Sequence, residues 1–207
     1  MKTTQRISDY VVSLSKRENS ETVFNPYRSK ALANNLEIYL NYIFFQPGEK
    51  ILLIGEAPGY KGCRLTGIPF SSGALIKAKQ HKIFYDISDD VVLKKVELEN
   101  SASAVWESLV DVKHYPLFWN AFPFHPHPKG NNNKNRAPNK KEMTEGEGYL
   151  SALADIFSPT IVAGIGRKGE SAGKQVFPEG DVVYIRHPSY GGKKEFVAGM
   201  ERVLGSS

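Results

Sequence analysis

The sequence contains a single cysteine, Cys63, among its 207 residues. One thiol excludes an internal disulfide, and it also excludes an iron–sulfur cluster held by several cysteines of this chain. No apolar run approaches the roughly 20 residues that span a bilayer, and residues 1–6 lead into a polar segment without the apolar core of a signal peptide. We therefore expect a cytoplasmic protein that does not enter a membrane.

Motifs of several enzyme classes are also missing. No GxGxxG or GxxxxGK[ST] sequence follows a strand-like segment, which argues against a Rossmann dinucleotide site and against a P-loop. Three histidines, His125, His127 and His187, would offer metal ligands, but a His-Pro-His sequence in a loop lacks the helical or CxxC spacing that sets metal-ligand geometry. We expect no metal and no cofactor.

The charge of the chain is moderately positive. The net charge is +5 and the pI is near 9.1, which favours a polyanionic partner. Residues 129–141 carry five cations and no acid, and Lys134 and Arg136 in this loop are candidate contacts to a phosphate backbone. A solvated surface loop is the simpler interpretation of a charge run taken alone.

Four apolar segments have the length and composition of strands, and helical segments separate them. The strand segments are residues 50–54, 115–120, 160–163 and 182–185. The helical segments that follow the first strand include residues 101–110, 141–157, 168–176 and 194–204. Alternation of this kind predicts an α/β fold with a parallel sheet covered by helices on both faces. We expect one domain over residues 1–207, with the N-terminal helices of residues 1–46 packed on it.

Two polar turns follow strands that are far apart in the chain. The first strand runs into Gly55-Glu56-Ala57-Pro58-Gly59, and the last runs into His187-Pro188-Ser189-Tyr190-Gly191. Ligands of open parallel sheets bind beyond the carboxyl ends of the strands. The two turns are therefore expected to face one pocket, with Glu56 and His187 near the same substrate. The charged stretch of residues 88–100 is expected to be an exposed excursion with little part in the chemistry.

Four elements in this order resemble the uracil-DNA glycosylase superfamily. They are the Gly55–Gly59 turn, the loop of residues 66–70 that ends in Phe70, the strand that closes at Asn120, and the His187-Pro188-Ser189 turn. The resemblance covers residues 51 to about 200. It implies a three-layer α/β/α fold around a four-stranded parallel sheet in the order 2-1-3-4, and it implies removal of a damaged base from DNA.

The resemblance also implies a role for each residue. Phe70 would stack on the flipped base, Asn120 would pair with N3–H and O4 of uracil, and His187 would donate to O2 as the base leaves. Gly55, Ala57, Pro58 and Gly59 would bring the backbone close to the nucleotide. Without the resemblance, a core aromatic, a turn-binding asparagine and a structural histidine are the simpler interpretations of the first three.

The second turn would contact the DNA. Ser189 would bond a phosphate, and Tyr190 would wedge into the gap left by the flipped nucleotide. Pro188 and Gly191 complete this contact, together with Lys134 and Arg136 of the basic loop.

This chain lacks the catalytic aspartates of the family pattern. The best-known branch has an Asp where this chain has Ala57, and a broad-specificity branch has an Asp after the aromatic, where this chain has Ser71-Ser72-Gly73. Glu56 is then the nearest carboxylate, which we expect to position water or to stabilise the cationic sugar. The common branch excludes thymine with a Tyr where this chain has Gly59, so exclusion of a 5-methyl group is expected to be less strict.

These residues predict a monofunctional, monomeric glycosylase that hydrolyses uracil, or a related deaminated base, from single- or double-stranded DNA and leaves an abasic site. The alternative is a member of the same fold that binds nucleic acid with weak catalysis or none.

Overall fold

The computed structural model describes residues 2–110, 112–189 and 191–205. Its strands are β1 (Val23–Phe24), β2 (Ile51–Gly55), β3 (Leu117–Asn120), β4 (His125–Pro126), β5 (Ile161–Ile165) and β6 (Val182–Ile185). Its helices are α1 (Thr3–Ser15), α2 (Lys30–Phe45), α3 (Cys63–Thr66), α4 (Gly73–Ala78), α5 (Lys82–Ile87), α6 (Asn100–Glu107), α7 (Lys140–Phe157), α8 (Gly166–Val176) and α9 (Lys193–Leu204).

The central sheet has four parallel strands in the order β3-β2-β5-β6. Counted along the chain among these four, that order is 2-1-3-4, so the predicted topology and the three-layer α/β/α architecture are confirmed. All five residues of β2 are buried, because a central parallel strand is covered on both faces and favours a continuous apolar run. The described residues contain no helix that is both long and apolar enough to cross a membrane.

The strand register places the functional positions at one edge of the sheet. Gly55 lies opposite Asn120 across β2 and β3, and Ile165 lies opposite Ile185 across β5 and β6. Parallel strands end on the same side, so the loops that follow these residues leave the sheet together. His187 follows Ile185 by two residues and therefore belongs to the same edge.

The N-terminal helices share the hydrophobic core with the sheet. The buried face of α1 packs against α2 and α7, and the hydroxyl of Tyr10 donates to the carbonyl of Tyr149 in α7 at 3.0 Å. In α2, the hydroxyl of Tyr39 accepts a hydrogen bond from the backbone N–H of Phe118 in β3 at 2.9 Å. These contacts connect α1 and α2 directly to the body that carries the candidate site.

A second, two-stranded sheet pairs β1 with β4 in antiparallel fashion. This ribbon was not among the predicted strands. Each of its strands has only two residues, which is too short to show an alternating pattern. Its partners are Val23 with Pro126 and Phe24 with His125. The ribbon fixes His125 at the start of the basic loop.

Candidate active site

A cavity of about 350 Å³ opens at the carboxyl edge of the central sheet. The predicted site residues that line it are Gly55, Glu56, Ala57, Pro58, Gly59, Phe70, Asn120, Arg136, His187 and Ser189. Further lining residues, which the sequence did not single out for this site, are Cys63, Ser71, Glu99, Ser101, Asn135 and Ala137. Residues from both polar turns thus meet around one space, as expected for strands that end at the same edge of the sheet.

Phe70 lies on one wall of the cavity in an unusual backbone conformation. Its φ angle is +53°, in the left-handed region that residues with a side chain seldom adopt. Its ring packs on Phe118 with a centroid distance of 5.1 Å and covers Gly55 so closely that a Cβ at position 55 would overlap it. The absence of a side chain at Gly55 therefore makes room for the aromatic wall.

Asn120 ends β3 and points its carboxamide into the same cavity. The residue is 4% exposed. Its side chain has no hydrogen-bond partner among the described residues. Buried polar groups almost always have partners. A buried amide that faces a cavity with its donors and acceptor unused is suited to a polar ligand.

His187 is held in one tautomer by its own turn. The backbone N–H of Ser189 donates to Nδ1 at 3.2 Å, which leaves the proton of the neutral imidazole on Nε2. Burial lowers the pKa of His187; the charge of Glu99 acts in the opposite direction, and that of Arg186 lowers the pKa further. The neutral ring then presents an N–H donor at the cavity wall.

Glu56 is a half-buried carboxylate between β2 and the Pro58 turn. Burial raises its pKa, and the positive charge of Lys168 partly offsets this effect. Within the described residues its carboxylate has no hydrogen-bond partner. The adjoining Ala57 packs against the core and offers only a methyl group.

The basic loop is tied to the first turn by hydrogen bonds. The backbone N–H of Tyr60 donates to Oδ1 of Asn135 at 2.9 Å. The guanidinium of Arg64 donates to the carbonyl of Tyr60 at 2.9 Å and to Oδ1 of Asn133 at 3.0 Å. The loop therefore forms one wall of the cavity together with the turn.

His125 makes a second connection between the same two segments. Its Nδ1 lies 2.8 Å from the carbonyl oxygen of Pro58, and its Nε2 lies 3.1 Å from that of Asn132. Burial lowers the pKa of His125 to about 4, although both carbonyls act to raise it. The neutral ring has one N–H and therefore donates to one of these two carbonyls at a time. No group of three potential metal ligands occurs in residues 2–110, 112–189 and 191–205.

Arg136, a predicted phosphate contact, is extensively hydrogen-bonded within the protein. Its guanidinium donates twice to Glu142, at 2.8 Å each, and once each to the backbone carbonyls of Ala137, Thr22 and His127. A guanidinium has five N–H donors, so every donor already has a protein partner. Arg136 therefore anchors the loop, and its contact with DNA stays a prediction.

Glu99 corrects the expectation for residues 88–100. Its carboxylate caps α6 by accepting hydrogen bonds from the backbone N–H groups of Ser101 at 3.2 Å and Ala102 at 2.8 Å, and the residue lines the cavity. The end of the supposed excursion thus belongs to the site. No local motif marks Glu99, because its position depends on the tertiary placement of α6.

The remaining predicted DNA contacts differ in their surroundings. Pro188 is buried, Ser189 lines the cavity, and Gly191 adopts a left-handed φ of +77°. Lys134 is exposed in the basic loop. Tyr190 lies outside the described residues.

Comparisons with known proteins agree with this arrangement. Residues 42–199 match the profile of the Uracil DNA glycosylase superfamily. Among solved structures, wild-type SMUG2 of Pedobacter heparinus is similar, with a TM-score of 0.63 at 17% sequence identity over 97% of this chain and 99% of that chain. A comparison with curated protein sequences gave no match. At such low identity the structural match speaks for the fold alone, whereas the family profile covers most of the chain, and this protein therefore belongs to the uracil DNA glycosylase superfamily.

Proposed function

We propose that this protein is a DNA glycosylase that flips uracil, or a related deaminated base, into the cavity and hydrolyses its N-glycosidic bond. The observation that carries the proposal is the buried carboxamide of Asn120, which has no partner in the described residues and faces the cavity. An amide can accept from N3–H and donate to O4 of uracil, whereas cytosine offers the opposite pattern at these atoms. Selection of uracil then requires the carboxamide to keep this orientation, because the amide turned by 180° would match cytosine instead.

Phe70 and His187 support the same substrate. The ring of Phe70 gives a flat apolar wall on which a base can stack. The Nε2–H of His187 is a fixed neutral donor, because Nδ1 is occupied by the N–H of Ser189. A hydrogen bond from this N–H to O2 stabilises the negative charge that develops on the departing base.

Glu56 is proposed to stabilise the cationic sugar or to position the attacking water. Rupture of a glycosidic bond gives the sugar oxocarbenium character, and a carboxylate in the cavity stabilises a positive charge or orients the attacking water. Ala57 cannot do this, since a methyl group neither accepts a proton nor carries charge. With weak activation of water, stabilisation of the leaving base carries most of the catalysis.

The reaction is proposed to stop at the abasic site. A glycosylase that also cleaves the strand uses an amine to form a Schiff base with the sugar. The described residues that line the cavity include no lysine. Ser189, Pro188, Gly191 and Lys134 are proposed to contact the phosphates around the flipped nucleotide.

A labelled oligonucleotide with one uracil, single- or double-stranded, tests the proposal. The expected result is cleavage of the strand after alkali and intact strand without it. Asn120→Asp keeps the shape of the side chain but replaces its donor by an acceptor, so we expect the single-turnover rate to fall by about 100-fold or more. Asn34→Asp makes the same change on the exposed side of α2 and is the matched control.

Two results would contradict the proposal. Release of uracil at the parent rate by Asn120→Asp would remove the assigned role of Asn120. Tight binding of the uracil duplex without any base release would instead favour the second candidate, a nucleic-acid-binding member of the fold. This candidate is favoured by the absence of an acidic side chain at two cavity positions, Ala57 and Ser71.

A further inference from the structure

Trp106 in α6 lies directly behind the aromatic wall of the cavity. Its side chain is 1% exposed, and its Nε1 donates to the backbone carbonyl of Phe70 at 2.7 Å. This residue does not line the cavity, so it cannot touch a bound base. Within the described residues, the only hydrogen bond of its side chain is to the peptide group of Phe70, the residue that is proposed to stack on the base.

The accepting carbonyl belongs to a residue in a disfavoured conformation. Phe70 has a φ angle of +53°, and a side chain in the left-handed region persists only where the surroundings determine it. The ring reaches the cavity over Gly55 from this conformation. Rotation of Phe70 into the extended region would turn its carbonyl away from the indole and move the ring off the wall.

The donor itself is rigid. The indole of Trp106 packs in a cluster of rings with centroid distances of 4.3 Å to Phe84, 5.0 Å to His81 and 5.8 Å to Phe118. Phe118 in turn carries the ring of Phe70. The N–H of Trp106 therefore points from a fixed framework at a carbonyl whose direction depends on the backbone of Phe70.

We infer that Trp106 is a positioning residue for base stacking: its indole N–H holds Phe70 in the left-handed conformation that places the ring over the base. The effect on base release rests on the proposed function, whereas the effect on Phe70 itself does not. Trp106 is thus expected to contribute to the rate through Phe70 and through no contact of its own.

The chain contains a matched control for this hydrogen bond. Trp119 is also fully buried, and its Nε1 has no hydrogen-bond partner in the described residues. Trp106→Phe and Trp119→Phe remove the same indole N–H from a buried ring. Only the first change removes a hydrogen bond.

The test combines a structure with kinetics. We expect a crystal structure of Trp106→Phe to show Phe70 outside the left-handed region, and its single-turnover rate of uracil release to fall by about tenfold. Phe70→Ala is expected to lose about 10- to 100-fold, and the double variant is expected to equal Phe70→Ala. Trp119→Phe should remain within about twofold of the parent rate.

A measurement on the unaltered protein complements these variants. The indole proton of Trp106 is expected to exchange with solvent slowly, since it is buried and bonded. Rapid exchange would overturn the inference even if Trp106→Phe did not fold. The inference would also be overturned if Phe70 kept its left-handed conformation in Trp106→Phe. The same holds if Trp106→Phe lowered the rate of uracil release equally in the parent and in Phe70→Ala. Failure of the parent protein to release uracil would overturn the proposed function and leave the conformation of Phe70 as the deciding observation.

Discussion

The Gly55–Gly59 turn contains one carboxylate, that of Glu56, and its surroundings set what it can do. Burial raises its pKa, and Lys168 opposes this shift without cancelling it. A carboxyl group whose pKa is raised by folding binds its proton more tightly in the folded protein than in the unfolded chain. Its ionised form therefore destabilises the folded state once the pH rises above the unfolded value.

Replacement of Glu56 by Gln is expected to lower activity and raise stability together. We expect the single-turnover rate at neutral pH to fall by about 10- to 100-fold, the range of a positioned acid or base. The rate of the parent should decline as the pH falls through the raised pKa of Glu56, whereas Glu56→Gln should lack this decline. The melting temperature at pH 7 should rise slightly, because a buried charge is removed.

Single-turnover assays between pH 4 and pH 8, with thermal melts of both proteins, measure these effects. If Glu56→Gln released uracil at the same rate as the parent, another group would position the water. A lower melting temperature at pH 7 would show that the carboxylate has a stabilising partner.

At the level of elements, the connection between the β1–β4 ribbon and the first turn depends on His125. This histidine lies between the carbonyls of Pro58 and Asn132. Its pKa is about 4 in the folded protein and near 6.5 when unperturbed, chiefly because of burial. The unfolded chain therefore binds more protons than the folded protein between these values, and stability is lost as the pH falls from about 6.5 towards 4.

Replacement of His125 by Gln is expected to remove much of this pH dependence. The parent should melt at progressively lower temperature from pH 6.5 to pH 4, and His125→Gln should show a flatter profile and a lower melting temperature at pH 7. His114→Gln changes an exposed histidine and should follow the parent. If His125→Gln and the parent lost stability in parallel, other groups would account for the acid sensitivity.

The four strands of the central sheet and most helices could be predicted from local patterns, whereas the residues that line the cavity could be predicted only in part. The segment of residues 182–185 coincides with β6, because a short apolar run between turns has few alternatives. The first strand is Ile51–Gly55, one residue later than predicted, and the ammonium of Lys50 donates to the carbonyls of Phe44 and Gln46 at the end of α2. That contact depends on the path of the chain and leaves no trace in composition.

The site residues divide in the same way. Glu56, Asn120 and His187 each end a strand or follow one closely, so the topology brings them to one edge. Glu99 and Asn135 reach the cavity through long connections whose course no periodicity predicts. Arg136 shows the limit most clearly: its charge suggested a phosphate contact, and no local pattern predicts that its guanidinium also bonds the Glu142 side chain and the carbonyls of Thr22, His127 and Ala137.

For the molecule as a whole, the net charge of +5 predicts binding to DNA that weakens as salt is added. Each phosphate neutralised by a cation releases counterions, so the slope of log affinity against log salt counts these contacts. Lys134 is exposed in the basic loop and is proposed to make one of them. The loop is therefore expected to contribute to affinity for DNA of any sequence.

Lys134→Ala is expected to weaken DNA binding equally for uracil-containing and normal duplexes and to reduce the salt slope by about 1. Titrations by fluorescence anisotropy at several salt concentrations measure both quantities. Lys174→Ala removes the same charge from the ion pair with Glu170 on α8 and should leave the slope unchanged. A slope unaffected by Lys134→Ala would place the phosphate contacts elsewhere.

The anchoring of the basic loop by Arg136 has a kinetic consequence. Glu142 and three backbone carbonyls hold the guanidinium in the free protein, so DNA meets a surface that is already formed. We therefore expect no ordering of this loop on encounter and an association rate governed by diffusion and electrostatic steering. If the protein acts as proposed, extrusion of the nucleotide is then expected to be slower than capture of the duplex.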